Sequence, residues 1–133
     1  MIDGGLRKLF RDNLGMLHWQ SVETGGTSRG VPDVNFAGDG VEGWIEFKKA
    51  EGWKVGLRPE QVAWLTRREG VGGRTFIAVR KKTEKMDTLY IFDGDFARTL
   101  VRYGLKSTAA LGIWDGGPGK WDWAQIRNVL TET

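Results

Sequence analysis

The sequence predicts a mixed α/β domain, a central β-sheet flanked by helices, and two observations carry that reading. Apolar segments of two periods alternate along the chain: some are rich in β-branched and aromatic residues, and others repeat an apolar position every three or four residues. Twenty glycines are scattered between these segments, as expected of tight turns joining short elements. At 133 residues, 40% of them hydrophobic, one domain can bury a sizeable core without staples. A single domain is therefore expected over 1–133, with a core of about 5–105 and a tryptophan-rich C-terminal extension of about 106–133.

Leu6, Phe10 and Leu14 in GLRKLFRDNL step by four and predict a first helix ended by Gly15. MLHWQSVE reads as a first strand, and GGTSRG as a polar loop of turn formers. VPDVNFAG and GWIEFKKA are joined by GDGVEG, whose Gly and Asp suit a hairpin turn or a slightly longer loop, so they predict an antiparallel pair. LRPEQVAWLTRREG opens with Pro59 in the first turn, where its missing N–H costs nothing. Val62, Trp64 and Leu65 then fall to one side of a helix that ends at Gly70. TFIAVRKK and TLYIFDG predict two more strands. DFARTLVRYG carries Phe96, Leu100 and Tyr103 at helical spacing, and WDWAQIRNVL carries Trp123, Ile126 and Leu130 likewise; IWDGGPGKW between them reads as a loop.

Composition excludes several kinds of chemistry. Cysteine is absent, so disulfides, thiolate zinc sites and thiol nucleophiles are ruled out. No segment approaches the ~20 apolar residues that span a bilayer, and MIDGGLRKLF lacks the apolar run of a signal peptide. The expectation is a soluble cytoplasmic protein with no membrane partner. A formal charge of +3 and a pI near 9.3 favour an anionic partner. Basic residues gather at Lys48, Lys49, Lys54 and Arg58, at Arg67 and Arg68, and from Arg80 to Lys85, although such clusters are ordinarily solvated faces.

The strand GWIEFKK holds the chemistry. Side chains alternate along a strand, so Glu46 and Lys48 project together while Ile45 and Phe47 project oppositely. If the run containing Asp33 pairs with it, the two carboxylates converge and Lys48 flanks them. Two acidic oxygens, a backbone carbonyl and water suit Mg²⁺, a hard ion that keeps several waters while binding phosphates. Such an ion activates water and neutralises charge on a scissile phosphate, and a nearby lysine orients that water. Alone, Pro-Asp is most often a turn and Glu-x-Lys a modest ion pair. In combination they are far more telling: Gly-Val-Pro-Asp enters a strand, Glu46 follows thirteen residues later on its neighbour, and a Pro-Glu-Gln helix start comes next.

That combination resembles the PD-(D/E)XK nuclease superfamily, and within it the VRR-Nuc group and the related archaeal-type Holliday junction resolvases. The matching residues are SRGVPDVNF, WIEFKKAEG, LRPEQVAWL with Gly70, and FIAVRKK, so the resemblance covers roughly 27–80. It implies a restriction-endonuclease-like core and a Mg²⁺-dependent endodeoxyribonuclease, with Mn²⁺ substituting. Asp33 and Glu46 are implied as metal ligands, the Phe47 carbonyl as a further ligand, Lys48 as the catalytic lysine, and Gln61 as a residue at the rim of the site. The implied substrate is branched DNA, a Holliday junction or flap, and the implied assembly is a homodimer whose two sites cut two strands. Relatives often carry a metal-binding glutamate on the first helix. GLRKLFRDNL has none, and Asp12, Glu23 or a one-ion site are the open alternatives.

Ser28 and Arg29, on the glycine-rich loop before Asp33, suit a phosphate contact; Lys49, Lys54 and Arg58 are further candidates for DNA. Among the tryptophans only Trp53, in AEGWKVG beside Lys54, looks placed to touch nucleic acid; the others read as core. IWDGGPGKWDW is open between a dimer contact, a lid and a reader of substrate shape. His18, the one histidine, reads as a partly buried strand residue rather than a general base. The alternative to an enzyme is a catalytically inactive nucleic-acid-binding module of the same fold, which would have lost Asp33, Glu46 or Lys48. A metabolic α/β protein is disfavoured, since no G-x-x-x-x-G-K-[ST] occurs and no G-x-G-x-x-G leads from a strand into a helix: GDGVEG has that spacing but joins two strands.

Overall fold

The computed structural model describes residues 3–22, 29–107 and 109–132. The elements run α1 (Leu6–Asn13), β1 (His18–Ser21), β2 (Val34–Gly38), β3 (Val41–Lys49), α2 (Pro59–Gly70), β4 (Thr75–Lys82) and β5 (Asp87–Asp93). A 3-10 turn at Gly94–Phe96 then leads to α3 (Ala97–Tyr103), β6 (Gly112–Trp114) and α4 (Trp123–Thr131). Among the described residues the strands form one six-stranded sheet in chain order. Neighbours pair antiparallel except β3 and β4, which run parallel and are joined through α2.

Both faces of the sheet are covered, which is why β4 and β5 read as nearly continuous apolar runs. Ile45, Phe47, Phe76, Ala78, Leu89 and Ile91 face one way and bury against Leu6 and Phe10 of α1 and Ile126 and Leu130 of α4. Ile77, Val79, Tyr90 and Phe92 face the other way, against Leu65 of α2 and Ala97 and Leu100 of α3. The result is a helix–sheet–helix sandwich, the α/β class expected from the alternating periods.

The β2–β3 hairpin closes in two residues. Asp39 and Gly40 both adopt positive φ, 54° and 81°, the backbone that a type I′ turn demands and that Asp-Gly supplies at little steric cost. Arg127 of α4 grips this turn with two hydrogen bonds to the Asp39 carboxylate, at 2.6 and 2.7 Å.

The C-terminal tryptophans belong to the core. Trp114 and Trp121 are buried and Trp123 packs edge-on to Phe10. Each indole N–H finds an acceptor: Gln125 for Trp114, the Asp87 carbonyl for Trp121 and the Pro118 carbonyl for Trp123.

Three details depart from the sequence reading. IWDGGPGKW is not wholly loop, because Gly112–Trp114 adds β6 to the edge of β5. The first strand is shorter than MLHWQSVE, and His18 on it is exposed rather than partly buried. Tyr103, placed by periodicity on the apolar side of α3, is 60% exposed, while Leu100 is fully buried.

Candidate nuclease site

The site forms where β2 and β3 part. Val34 opposite Ile45 is the first matched pair, so β3 runs on past the start of β2 from Glu46 to Lys49. Asp33 sits just ahead of β2, its own carbonyl accepting from the Val22 amide beyond β1. Along β3 the amides of Trp44 and Ala50 donate toward the β4 side, to Arg74 and Arg80. Backbone groups alternate edges, so Phe47 directs its amide and carbonyl to the opposite edge, where β2 has ended. Asp33 Oδ2 takes that amide at 2.9 Å.

Glu46 and Lys48 share the face covered by α2, as strand alternation requires. Glu46 is 2% exposed, an unusual position for a carboxylate. Its Oε2 accepts from Gln61 Nε2 at 2.8 Å and lies 3.8 Å from Lys48 Nζ. Its Oε1 is buried with no hydrogen-bond partner. Burial, followed by the charge of Asp33, pushes the Glu46 carboxyl up to about 8, with Lys48 pulling in the other direction.

Gln61 is the keystone of this arrangement. It occupies the third position of α2, where its Oε1 accepts from the Arg58 amide at 2.9 Å and supplies one arm of a capping box. The same oxygen receives Lys48 Nζ at 3.3 Å. Oxygen toward two donors and nitrogen toward a carboxylate is the amide orientation the network dictates. At 6% exposure Gln61 lies deeper than a rim residue.

Arg7 of α1 was missed by the sequence reading. Its Nη2 lies 3.8 Å from Asp33 Oδ1, so the first helix presents a cation to the site where relatives often present a glutamate. Asp12, one of the alternatives for that glutamate, pairs instead with Lys8 on an exposed face of α1. Only the three-dimensional approach of α1 to Asp33 reveals Arg7; its sequence neighbours give no signal.

The expected DNA contacts fall in several places. Arg29 is exposed on the approach to Asp33, and Arg58 starts α2 beside Gln61 with its side chain 3.6 Å from Glu60. Trp53 and Lys54 are exposed on the turn that follows β3. Lys49 points to the opposite face from Lys48, into a cleft of ≈ 250 Å³ lined by Gly4, Arg80 and Lys82. Ser28 and Glu23 lie outside the described residues.

The donors present fit a hard divalent cation. Asp33, Glu46 and the backbone carbonyl of Phe47 are oxygen donors alone, and the orphaned Glu46 Oε1 is a desolvated acceptor that a cation would satisfy.

A mixed sheet between helical layers, with a carboxylate pair and a lysine where two strands fork, is the architecture of the restriction-endonuclease-like fold. The family model of the archaeal Holliday junction resolvases matches residues 8–112, from α1 to β6. The chain belongs to this family, a PD-(D/E)XK nuclease-like family of resolvases, and that membership indicates Holliday junction resolvase nuclease activity. Neither the curated proteins nor the solved structures include a significant match to the chain.

Proposed function

We infer that the chain is a divalent-metal-dependent endodeoxyribonuclease that cuts branched DNA, with the four-way junction as its substrate. The observation that carries this reading is the buried Glu46, one oxygen held by Gln61 and the other unpartnered beside Asp33, with Lys48 on the same face. Most buried side-chain oxygens are hydrogen-bonded, so an unpaired one beside a second carboxylate supports a cation-binding role. Asp33, Glu46 and the Phe47 carbonyl are the residues that would hold Mg²⁺ or Mn²⁺. Bound there, the ion supplies a polarised water and offsets charge on the scissile phosphate.

The remaining work belongs to the chain's own groups. Lys48 orients the attacking water and stabilises the extra negative charge of the five-coordinate phosphorus. Gln61 fixes Lys48 and Glu46 relative to each other, so both stay aligned without rearrangement during the reaction. Arg7 limits the negative charge around Asp33, and Arg29 and Arg58 offer guanidinium groups to phosphates on either side. A homodimer fits this reading because a symmetric junction presents two equivalent strands to cut.

The test is cleavage of labelled four-way junction, flap, duplex and single-stranded DNA in Mg²⁺, Mn²⁺ or EDTA, by the wild-type and Lys48→Ala proteins. Metal-dependent cutting with the junction preferred, lost in Lys48→Ala, is the expected result. Wild-type-like cutting by Lys48→Ala would sink the assignment.

A further inference from the structure

The turn after β3 is built more rigidly than its exposure requires. Glu51 and Lys54 bridge across it, and the backbone oxygens of its two middle residues are both claimed from elsewhere. Gly52 O accepts from Lys81 Nζ at 2.8 Å, and Trp53 O accepts from the Leu105 amide at 2.9 Å. Gly104 allows the second contact: it sits at φ +73°, and a Cβ there would come within 2.5 Å of the Trp53 oxygen.

What this scaffold holds out is an indole, 42% exposed, with Lys81 Nζ and Lys106 Nζ over its ring, 4.5 and 5.1 Å from the centroid. Lys81 is itself buried and follows Ile77 and Val79 on the sheet face that carries Glu46. An indole meant for the core would be covered, and a disordered one would need no such anchoring. Lys54 and Lys106 are exposed beside it, and Glu51 is the acidic residue of the turn.

We propose that the Trp53 turn is a stacking platform for a base face exposed at the branch of DNA, with Lys54 and Lys106 contacting the flanking phosphates. The proposal rests on the nuclease reading above and names the feature of the substrate recognised. In continuous duplex every base face is covered by its neighbour, whereas opening a branch breaks the coaxial stacking of its arms and uncovers the faces at the crossover. A half-exposed indole suits such a face regardless of base identity once the exposed Lys106, whose ammonium lies over the ring, turns to a flanking phosphate. Four steps of extended chain lead from Glu46 to Ala50, so the turn begins on the order of 13 Å from the Glu46 backbone.

The experiment measures affinity of the full-length protein for a labelled four-way junction and for a duplex of the same arm sequence, with Ca²⁺ in place of Mg²⁺. Trp53→Leu, similar in apolarity but without a ring, is expected to weaken junction binding on the order of tenfold and duplex binding less than twofold. Trp53→Phe retains the preference, which separates stacking from loss of fold. Junction binding by Trp53→Leu at the wild-type level overturns the platform. So does a change in oligomeric state with affinity per site unchanged, which makes Trp53 a protein contact. A wild-type protein that cuts DNA but binds junction and duplex alike removes the platform and leaves the nuclease reading standing. If the wild-type protein neither binds nor cuts in any metal, both fall.

Discussion

Glu46 is a carboxyl whose surroundings favour the neutral form, and this has a measurable sign. Its ordinary value is 4.5, and in the fold it is pushed up to about 8, mainly by burial. Between those values the metal-free folded protein holds a proton that the unfolded chain has released. This contribution to stability is full below about pH 4.5, declines as pH rises and is gone above about pH 8. The limiting slope is about 1.4 kcal/mol per pH unit. Urea unfolding in EDTA from pH 5 to pH 8 checks this: Glu46→Gln, which cannot ionise, should have a flatter profile than wild type, and parallel profiles would refute it. At Gln61, substitution by Ala removes the bonds to Glu46, Lys48 and the Arg58 amide together. A loss of about 1–3 kcal/mol is expected, since a buried carboxyl is left without its donor. Cleavage should fall with it, and melting compared with turnover number measures both.

At the level of elements, the tryptophans of β6 and of the segment leading into α4 serve packing. Trp114→Phe keeps most of the buried surface and strands the Gln125 acceptor, so about 1 kcal/mol is lost. Junction cleavage should be unchanged, and a large drop in cleavage with unaltered melting would show these indoles reading the substrate after all. What the sequence made legible follows from local physics. Asp39-Gly40 announced its hairpin because few dipeptides tolerate two positive φ angles in succession. Asp33, Glu46 and Lys48 could be brought together on paper because strand alternation and one hairpin register suffice to do it. The strand β6 was hidden because it has three residues, one a glycine and one the 55% exposed Ile113, and so carries no alternating pattern. Arg7 was hidden because its approach to Asp33 depends on how α1 lies across the sheet. The depth of Gln61 was hidden for a related reason: a capping residue at the start of α2 is ordinarily exposed, and only the docking of that helix over Glu46 buries it.

For the molecule as a whole, cations surround the fork from separate elements, and binding to DNA should weaken log-linearly with salt. Replacing Arg29, Lys54 and Arg58 by Ala one at a time should lower the slope by about 0.9 for each one that neutralises a phosphate. Fluorescence anisotropy across a salt series gives the number directly, and an unchanged slope removes that residue from the contact surface. The strand order carries a further consequence. Among the described residues every neighbouring pair of strands is antiparallel except β3 and β4, and α2 lies between those two in the chain. Antiparallel partners joined by short turns zip locally, whereas a parallel pair must first close the long excursion between them. Glu46 and Lys48 lie on one side of that closure and Gln61 within it. During refolding, then, the hairpins can regain their hydrogen bonds while the enzyme is still inert; competence arrives only when the crossover seats, so recovered cleavage lags recovered β-structure and keeps time with protection of the Ala50 amide.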